Sequence, residues 1–220
     1  MSAPAQKPKS DRYEEILEAA AECFQKQGFS ATSIDTVARH LGSTKGRVYH
    51  YFPSKMDLFN AVRDRAMEIA FDGIRPGYDT DADPIERLRL MSMGHARVMM
   101  LRHSYMQVLL DGLQMQRYGA TTEFQRQAMA RHLAERNAFE TMFREVLTLG
   151  ADQGVMTIGH MSITLQSYLI TLNGPVFWYR PRSDGSADNV DAIAHDIVRY
   201  AMRGLGIDDN DNTSTISTGA

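Results

Sequence analysis

The chain has 220 residues, of which 43% are hydrophobic and 23% are charged, and its formal net charge is −3 at pH 7. This composition predicts an ordinary globular protein with one sizeable core and a smaller module, and the negative charge excludes a general coat for nucleic acid. The single cysteine, Cys23, excludes a disulfide framework and a thiolate metal site within one chain.

Positive charge is concentrated towards the N-terminus. Residues 1–65 hold ten Lys and Arg against eight Asp and Glu, whereas residues 66–220 hold fourteen against nineteen. The lysines lie in the first quarter of the chain: Lys7, Lys9, Lys26, Lys45 and Lys55. A basic surface on an otherwise acidic protein indicates contact with DNA at one end.

Both ends of the chain lack a helical pattern. Residues 1–10 are predicted to form a flexible arm and residues 208–220 a disordered tail, because small and polar residues dominate both. The first helix is predicted over residues 11–27 and ends at Gly28, since glycine is the usual residue just past a helix C-terminus.

The segment from Ser33 to Gly42 has the pattern of a short helix. Apolar residues recur at i, i+3, i+4 and i+7, on one face: Ile34, Val37, Ala38 and Leu41. Ser33 is the predicted N-cap, and Gly42 ends the helix because it reaches left-handed backbone angles without a clash. A second helix is expected to begin at Ser43 or Thr44.

The second helix has a packed side and an outer side. At about 100° per residue, Thr44, Val48 and Phe52 fall on the packed side. The outer side presents basic and aromatic groups around a glycine: Gly46, Arg47, Tyr49 and His50. Because Gly46 has no side chain, the helix backbone can approach base edges closely. The pattern is therefore two helices joined by a glycine turn, with a basic and aromatic face on the second helix. This arrangement is typical of a motif that places its second helix in the major groove of DNA.

These two helices resemble the helix-turn-helix of the TetR family of bacterial repressors, over roughly residues 10–65. The resemblance is carried by residues 43–55, which read Ser-Thr-Lys-Gly-Arg-Val-Tyr-His-Tyr-Phe-Pro-Ser-Lys, and by the preceding Ile-Asp-Thr-Val-Ala-Arg-His-Leu-Gly. It implies that the position matching Lys55 holds a phosphate and that bases or phosphates are contacted by the positions matching Thr44, Lys45, Gly46, Arg47, Tyr49 and His50. With Ser33 added at the start of the motif, the predicted DNA-binding residues are Ser33, Thr44, Lys45, Gly46, Arg47, Tyr49, His50 and Lys55.

Two residues depart from the family pattern. Ser43 stands where the family has an apolar residue in the turn, which weakens the packing of the turn. Arg47 stands where a small residue commonly follows Lys-Gly. An arginine side chain can donate two hydrogen bonds to one guanine. The operator sequence of a relative therefore does not predict the operator sequence of this protein.

The rest of the chain reads as helices without strand patterns. The predicted fold class is all-α, with a three-helix helix-turn-helix DNA-binding domain over residues 11–53 and a six-helix ligand-binding and dimerisation domain over residues 54–207. The fourth helix runs from Lys55 towards Gly73, and Asp83 is the expected cap of the fifth. The later helices are predicted at 84–103, 105–117, 122–152, 160–179 and 188–204.

Methionines are dense on helices that line a pocket in TetR relatives: Met91, Met93, Met99, Met100, Met106 and Met115. Methionine adapts to irregular cavities, but such stripes also simply fill a core. Polar residues interrupt apolar faces at His95, Gln166 and Asn173, where a ligand or the protein itself would supply partners. The predicted ligand-binding residues are Met91, His95, Met99, Gln166, Asn173, Phe177 and Trp178.

The penultimate helix ends with an aromatic, basic sequence, Pro-Val-Phe-Trp-Tyr-Arg-Pro, at residues 175–181. Its last four residues resemble a motif of TetR relatives that control lipid, steroid or acyl-CoA breakdown, which implies an acyl-CoA or other lipid-like effector. The alternative is that these aromatic residues pack a dimer interface. Whether Arg180 and Arg182 contact a ligand or a dimer partner is left open.

A homodimer is predicted from the geometry of DNA reading. One recognition helix covers only a few base pairs, so this motif normally uses two helices about 34 Å apart on a palindromic operator. The last two helices carry wide apolar faces that suit a four-helix bundle between two chains.

The predicted function is therefore a ligand-responsive transcriptional repressor. An architectural DNA-binding protein without a ligand is the alternative, and an enzyme is disfavoured because no phosphate loop, nucleophile elbow or metal-ligand spacing is present. No metal and no cofactor are predicted. No apolar run reaches the length of a membrane span and no signal-peptide segment is present, so a cytoplasmic protein without membrane contact is expected.

Overall fold

A computed structural model describes residues 11–115, 123–180 and 189–207. These residues contain α-helices and no β-strand, which confirms the all-α prediction. The helices are α1 (Asp11–Ala31), α2 (Ile34–His40), α3 (Lys45–Tyr51), α4 (Lys55–Tyr78), α5 (Pro84–Leu101), α6 (His103–Met115), α7 (Glu123–Asp152), α8 (Met161–Asn173), α9 (Pro175–Trp178) and α10 (Val190–Arg203). The predicted flexible arm (1–10), the predicted tail (208–220) and Arg182 lie outside the described residues.

The helices form two compact units. The first comprises Met1–Met67 with Ser104–Met129, and the second comprises Glu68–His103 with Ala130–Ala220. Helix α4 is therefore divided between them at Met67. The predicted domain boundary between residues 53 and 54 stays a prediction. Across the described ranges, every helix is too short or too polar to pass through a bilayer.

The turns around α2 follow from local backbone chemistry. Gly42, just past α2, has φ 65° in the left-handed region, as predicted. Gly28 has φ 76° and lies inside α1, where its non-helical backbone angles kink the helix at the predicted end instead of ending it. The Ser33 hydroxyl accepts a hydrogen bond from the backbone N–H of Thr36 at 3.1 Å, which confirms the predicted cap. Thr44 caps α3 by accepting from the N–H of Arg47 at 3.4 Å. The prediction that Thr44 lies on the packed side of this helix was wrong. As the cap residue, Thr44 lies outside the helix, and it is exposed.

Helix α4 continues five residues past its predicted end at Gly73 and passes through Pro76. Contacts within the second unit hold this extension. The Tyr78 hydroxyl donates to the carboxylate of Glu145 on α7, and Arg87 of α5 donates to the Tyr78 carbonyl at 2.7 Å. These bonds fix the last turn even though Pro76 lacks an N–H, which local sequence signals alone could not reveal.

The predicted helix over residues 160–179 is interrupted at Gly174. Pro175 has no N–H to donate to the Thr171 carbonyl, and the Gly174 N–H bonds that carbonyl instead at 3.2 Å. The chain therefore forms α8 and the single turn α9. Helix α5 packs against α8, α9 and α10, so it runs through the middle of the second unit.

Helices α4 and α5 approach each other closely at two glycines that face each other. A Cβ atom added to Gly94 on α5 would collide with the backbone carbonyl oxygen of Gly73 on α4. A Cβ atom on Gly73 would lie 2.7 Å from a methyl group of Val98. The pair Gly73 and Gly94 is the glycine crossing, a place where only hydrogen atoms fit between two helix backbones.

Candidate DNA-binding surface and effector site

Helix α3 has a buried side and a free side. Val48 is 0% exposed, and Phe52, just past the helix, is 3% exposed. Tyr13 of α1 packs against the Phe52 ring at 5.1 Å between centroids. The opposite side, which we call the α3 outer face, is exposed at Thr44, Lys45, Gly46, Arg47, Tyr49 and His50. Six of the eight predicted DNA-binding residues thus lie together on one accessible surface.

Gly46 leaves the middle of the α3 outer face flat. A Cβ atom added there would meet nothing within 4 Å in the described structure, so the glycine is not needed for packing inside the chain. The Lys45 ammonium lies 5.6 Å from the centre of the Tyr49 ring, a separation that allows a cation–π interaction. This pairing pre-orients a positive charge at the first turn of α3, where phosphates are also attracted by free backbone N–H groups.

Lys55 has partners inside the first unit. Its ammonium donates to the carbonyl oxygens of Phe29 at 2.7 Å and Ser30 at 3.2 Å, and it lies 4.4 Å from the centre of the Phe29 ring. These contacts join the start of α4 to the end of α1. Phosphate contact by Lys55 stays a prediction, and the structure adds a stabilising role that spacing did not indicate.

Ser33 and Ser43 differ in how their hydroxyl groups are bonded. The Ser33 hydroxyl is occupied as a helix cap and also lies 2.9 Å from the Thr36 hydroxyl, at the exposed edge of α2. The Ser43 hydroxyl oxygen is buried and has no hydrogen-bond partner among the described residues. An unsatisfied buried hydroxyl is destabilising, consistent with the weaker turn packing expected from Ser43.

In the second unit, three predicted ligand-binding residues share the buried face of α5. Met91, His95 and Met99 are 0%, 3% and 2% exposed and are spaced by one helical turn. The His95 ring nitrogen Nε2 lies 2.8 Å from the amide oxygen Oδ1 of Asn173 on α8. The structure therefore brings together four predicted residues: Met91, His95, Met99 and Asn173.

Two phenylalanines of α7 complete the surroundings of His95. The centre of its ring lies 5.3 Å from the centre of the Phe139 ring and 6.3 Å from that of Phe143. Neither was predicted from the sequence, although their spacing of four residues was a signal for one buried helix face. Burial lowers the pKa of His95 below its ordinary value, and the bond to Asn173 opposes this only in part.

A second polar pair crosses from α5 to α8 one turn before His95. The hydroxyls of Ser92 and Tyr168 lie 2.7 Å apart, and both residues are buried. Burial raises the pKa of Tyr168, and the Ser92 bond acts in the opposite direction. Since each hydroxyl satisfies the other, this pair fastens α5 to α8 without needing a ligand.

The other predicted ligand-binding residues lie elsewhere in the second unit. The Gln166 amide donates to the Glu140 carboxylate of α7 at 2.8 Å, so its polar group has a partner within the chain. Phe177 and Trp178 are 63% and 55% exposed. The Arg180 guanidinium donates to the neighbouring Tyr179 carbonyl at 2.7 Å and is otherwise at the surface.

Comparison with protein families decides what kind of protein carries these sites. Residues 16–62 match the model for bacterial regulatory proteins of the tetR family, and residues 81–205 match the tetracyclin repressor-like C-terminal domain. The chain belongs to the TetR family. The prediction of a helix-turn-helix transcriptional repressor is confirmed, and an enzyme is not supported.

Individual TetR relatives agree with this assignment. The chain is 28% identical over 184 residues to the transcriptional repressor KstR2 of Mycobacterium tuberculosis, covering 82% of this chain and 88% of that protein. It is 24% identical over 210 residues to the uncharacterized regulator YfiR of Bacillus subtilis, covering 91% and 95%.

Solved structures extend the agreement to the whole TetR fold. The structure of PfmR from Thermus thermophilus superposes with a TM-score of 0.72 at 28% identity, covering 86% of this chain and 98% of that one. The structure of the ketosteroid regulator KstR2 of Mycobacterium tuberculosis has a TM-score of 0.76 at 22% identity, covering 91% and 96%, and supports the fold alone.

Proposed function

We propose that this TetR-family repressor binds a palindromic operator as a homodimer and is released by a mainly apolar small molecule bound in its second unit. The observation that carries DNA reading is the α3 outer face. Its six exposed residues include two cationic side chains and a central glycine. This glycine is not required by packing, because a Cβ atom added there would meet nothing within 4 Å. A mobility-shift titration with the DNA upstream of the protein's own gene tests this proposal directly.

Base reading is assigned to Arg47, whose exposed side chain extends from the α3 outer face. We expect Arg47→Ala to weaken binding to the best operator by about 1–3 kcal/mol and to relax base preference at one position of each half-site, because a bidentate contact to guanine is lost. Anisotropy titrations against an operator library measure both effects.

Arg39→Ala is the matched control for Arg47. Arg39 is exposed on α2 and lies 3.7 Å from Asp35, its ion-pair partner one turn away. Removing it is expected to change affinity by a similar small factor for every sequence, because only phosphate attraction is altered. Unchanged base preference in Arg47→Ala would contradict the role assigned to Arg47.

Dimerisation is supported by an exposed apolar surface on the second unit. Its members, which we call the α8–α10 patch, are Ile163, Ile170, Phe177, Trp178 and Tyr200. Each is more than half exposed, and aromatic residues of this kind are enriched in protein interfaces. Ile163, Ile170 and Phe177 are spaced by seven residues, as expected for one side of two consecutive helical segments.

A charged side chain placed in the α8–α10 patch is expected to prevent dimerisation. Ile170→Glu is expected to give monomers at concentrations where the wild type is a dimer, and to weaken operator binding on the order of 100-fold through loss of the second recognition helix. Analytical ultracentrifugation and the mobility shift measure these outcomes. Ala138→Glu, at an exposed position of α7, should leave both unchanged. A dimeric Ile170→Glu protein would exclude this patch as the interface.

The effector part of the proposal rests on the buried polar groups around His95 and on the name of a relative. KstR2 is described as a ketosteroid regulator, which favours lipid-like compounds, including acyl-CoA thioesters, as the class to test. A titration series of apolar alcohols, apolar acids and CoA thioesters against the operator complex tests this class, and at least one member of the series is expected to release the DNA. Operator binding without release by any apolar compound would favour the architectural alternative.

A further inference from the structure

His95 is a buried polar side chain of the second unit, and only one of its two ring nitrogens has a hydrogen-bond partner among the described residues. Its Nδ1 atom is inaccessible to solvent and has no hydrogen-bond partner among the described residues. The other ring nitrogen, Nε2, is occupied by Asn173 at 2.8 Å. Leaving a buried polar atom unpaired costs about 1–3 kcal/mol, so the arrangement calls for a partner that the described residues do not supply.

The bond to Asn173 determines which hydrogen-bonding role Nδ1 can have. The Oδ1 atom of Asn173 is a carbonyl oxygen and only accepts, so Nε2 must carry the hydrogen. Burial keeps the ring neutral, since it lowers the pKa of His95. A neutral imidazole with its hydrogen on Nε2 presents a lone pair at Nδ1. Nδ1 is therefore an acceptor that awaits a donor.

Apolar side chains lie against and near the His95 ring. Phe139 and Phe143 lie against its ring, and Phe71 of α4 packs against Phe139 at 5.5 Å between centroids. Met91 and Met99 lie one turn away on either side along α5. The nearby hydroxyls of Ser92 and Tyr168 are bonded to each other. An anion placed against these rings would lose its hydration, which is strongly unfavourable unless it is paired with a cation.

We propose that the effector of this protein is an uncharged, mainly apolar molecule whose hydroxyl or N–H group donates a hydrogen bond to Nδ1 of His95. This inference rests on the proposed ligand-controlled function and narrows its effector class. It excludes carboxylates and molecules with only acceptor groups at this position, because a carboxylate or ketone oxygen would face the Nδ1 lone pair. The thioester carbonyl of an acyl-CoA is such an acceptor.

The first test reads the tautomer without any ligand. In the full-length protein labelled with nitrogen-15 histidine, the His95 ring should show its hydrogen on Nε2 and a bare Nδ1 at neutral pH. His95→Gln identifies the signals. A hydrogen on Nδ1, or a charged ring at neutral pH, would overturn the inference, whatever the protein does with DNA.

The second test compares ligands that differ only in their head group. Decanol, decanal and decanoate share one chain, and testosterone and androstenedione share one ring system while differing in a hydroxyl against a ketone. Each hydroxyl compound is expected to bind at least about ten-fold more tightly than its carbonyl partner and to shift the Nδ1 signal, since the matched donor is worth about one hydrogen bond. Equal binding within both sets, tighter binding of decanoate, or binding by no compound would refute the inference.

Variants of Asn173 test whether ligand selectivity depends on the tautomer of His95. Asn173→Leu removes the acceptor that fixes the tautomer, so the preference for hydroxyl over carbonyl should shrink to within about two-fold. Asn173→Gln keeps a neutral carbonyl acceptor and should retain the preference. Asn137→Leu, at an exposed position of α7, should leave it intact. Operator affinity without ligand is measured in parallel, so that loss of DNA binding, which would contradict the proposed function, is distinguished from loss of ligand selectivity.

Discussion

Replacing Gly46 by Leu is expected to abolish specific operator binding while the protein remains folded. A leucine side chain at the centre of the α3 outer face would hold the helix away from the floor of the major groove, and every base contact of the face would be lost together. The expected drop is at least on the order of 100-fold, down to the level of non-specific DNA. Anisotropy titration with specific and random duplexes measures it.

The melting temperature of Gly46→Leu distinguishes a loss of DNA contact from a loss of folding. A side chain at Gly46 meets nothing within 4 Å, and leucine favours helix over glycine by about 0.5–1 kcal/mol, so the melting temperature should stay equal or rise. Gly159→Leu is the matched control, because its site is also open and lies outside α3. Full operator affinity in a stable Gly46→Leu protein would show that this face does not enter the groove.

Replacing Gly94 by Ala is expected to lower the free energy of unfolding by about 2–3 kcal/mol. The added methyl group would overlap the Gly73 carbonyl oxygen at the glycine crossing, and backbone atoms cannot turn aside as a flexible side chain can. Either α4 and α5 separate or the second unit loses packing around α5. Urea denaturation followed by circular dichroism measures the change.

Replacing a glycine by alanine where no neighbour lies close is expected to raise the free energy of unfolding instead of lowering it. Gly46→Ala is expected to gain up to about 1 kcal/mol, because alanine is the better helix former and no neighbour is displaced. The two variants together separate helix propensity from helix packing. Equal stability of Gly94→Ala and the wild type would mean that the glycine crossing tolerates a wider separation than its geometry indicates.

The helix-turn-helix could be predicted closely because its signals are local. The cap at Ser33, the left-handed turn at Gly42 and the buried Val48 each depend on chemistry within a few residues, and the structure confirms all three. The all-α fold followed in the same way from apolar spacing. Thr44 was misplaced because helical spacing was applied to a residue that stands before the helix.

Features that depend on contacts distant in sequence could not be predicted. The C-terminal end of α4 depends on the bond from Tyr78 to Glu145, and the Gln166 amide donates to Glu140. The pairing of His95 with Asn173 joins residues 78 positions apart. Helical spacing placed His95, Gln166 and Asn173 on apolar faces, but only the folded chain shows which polar atoms satisfy each other and which are left over.

The exposed indole of Trp178 makes the assembly of this protein visible without a label. It is the only tryptophan in the chain and is 55% exposed on the α8–α10 patch. The emission of an indole moves to shorter wavelength when water is excluded from it. Intrinsic fluorescence during dilution of the native protein therefore follows a single residue, and its wavelength should shift as a partner covers or leaves that surface.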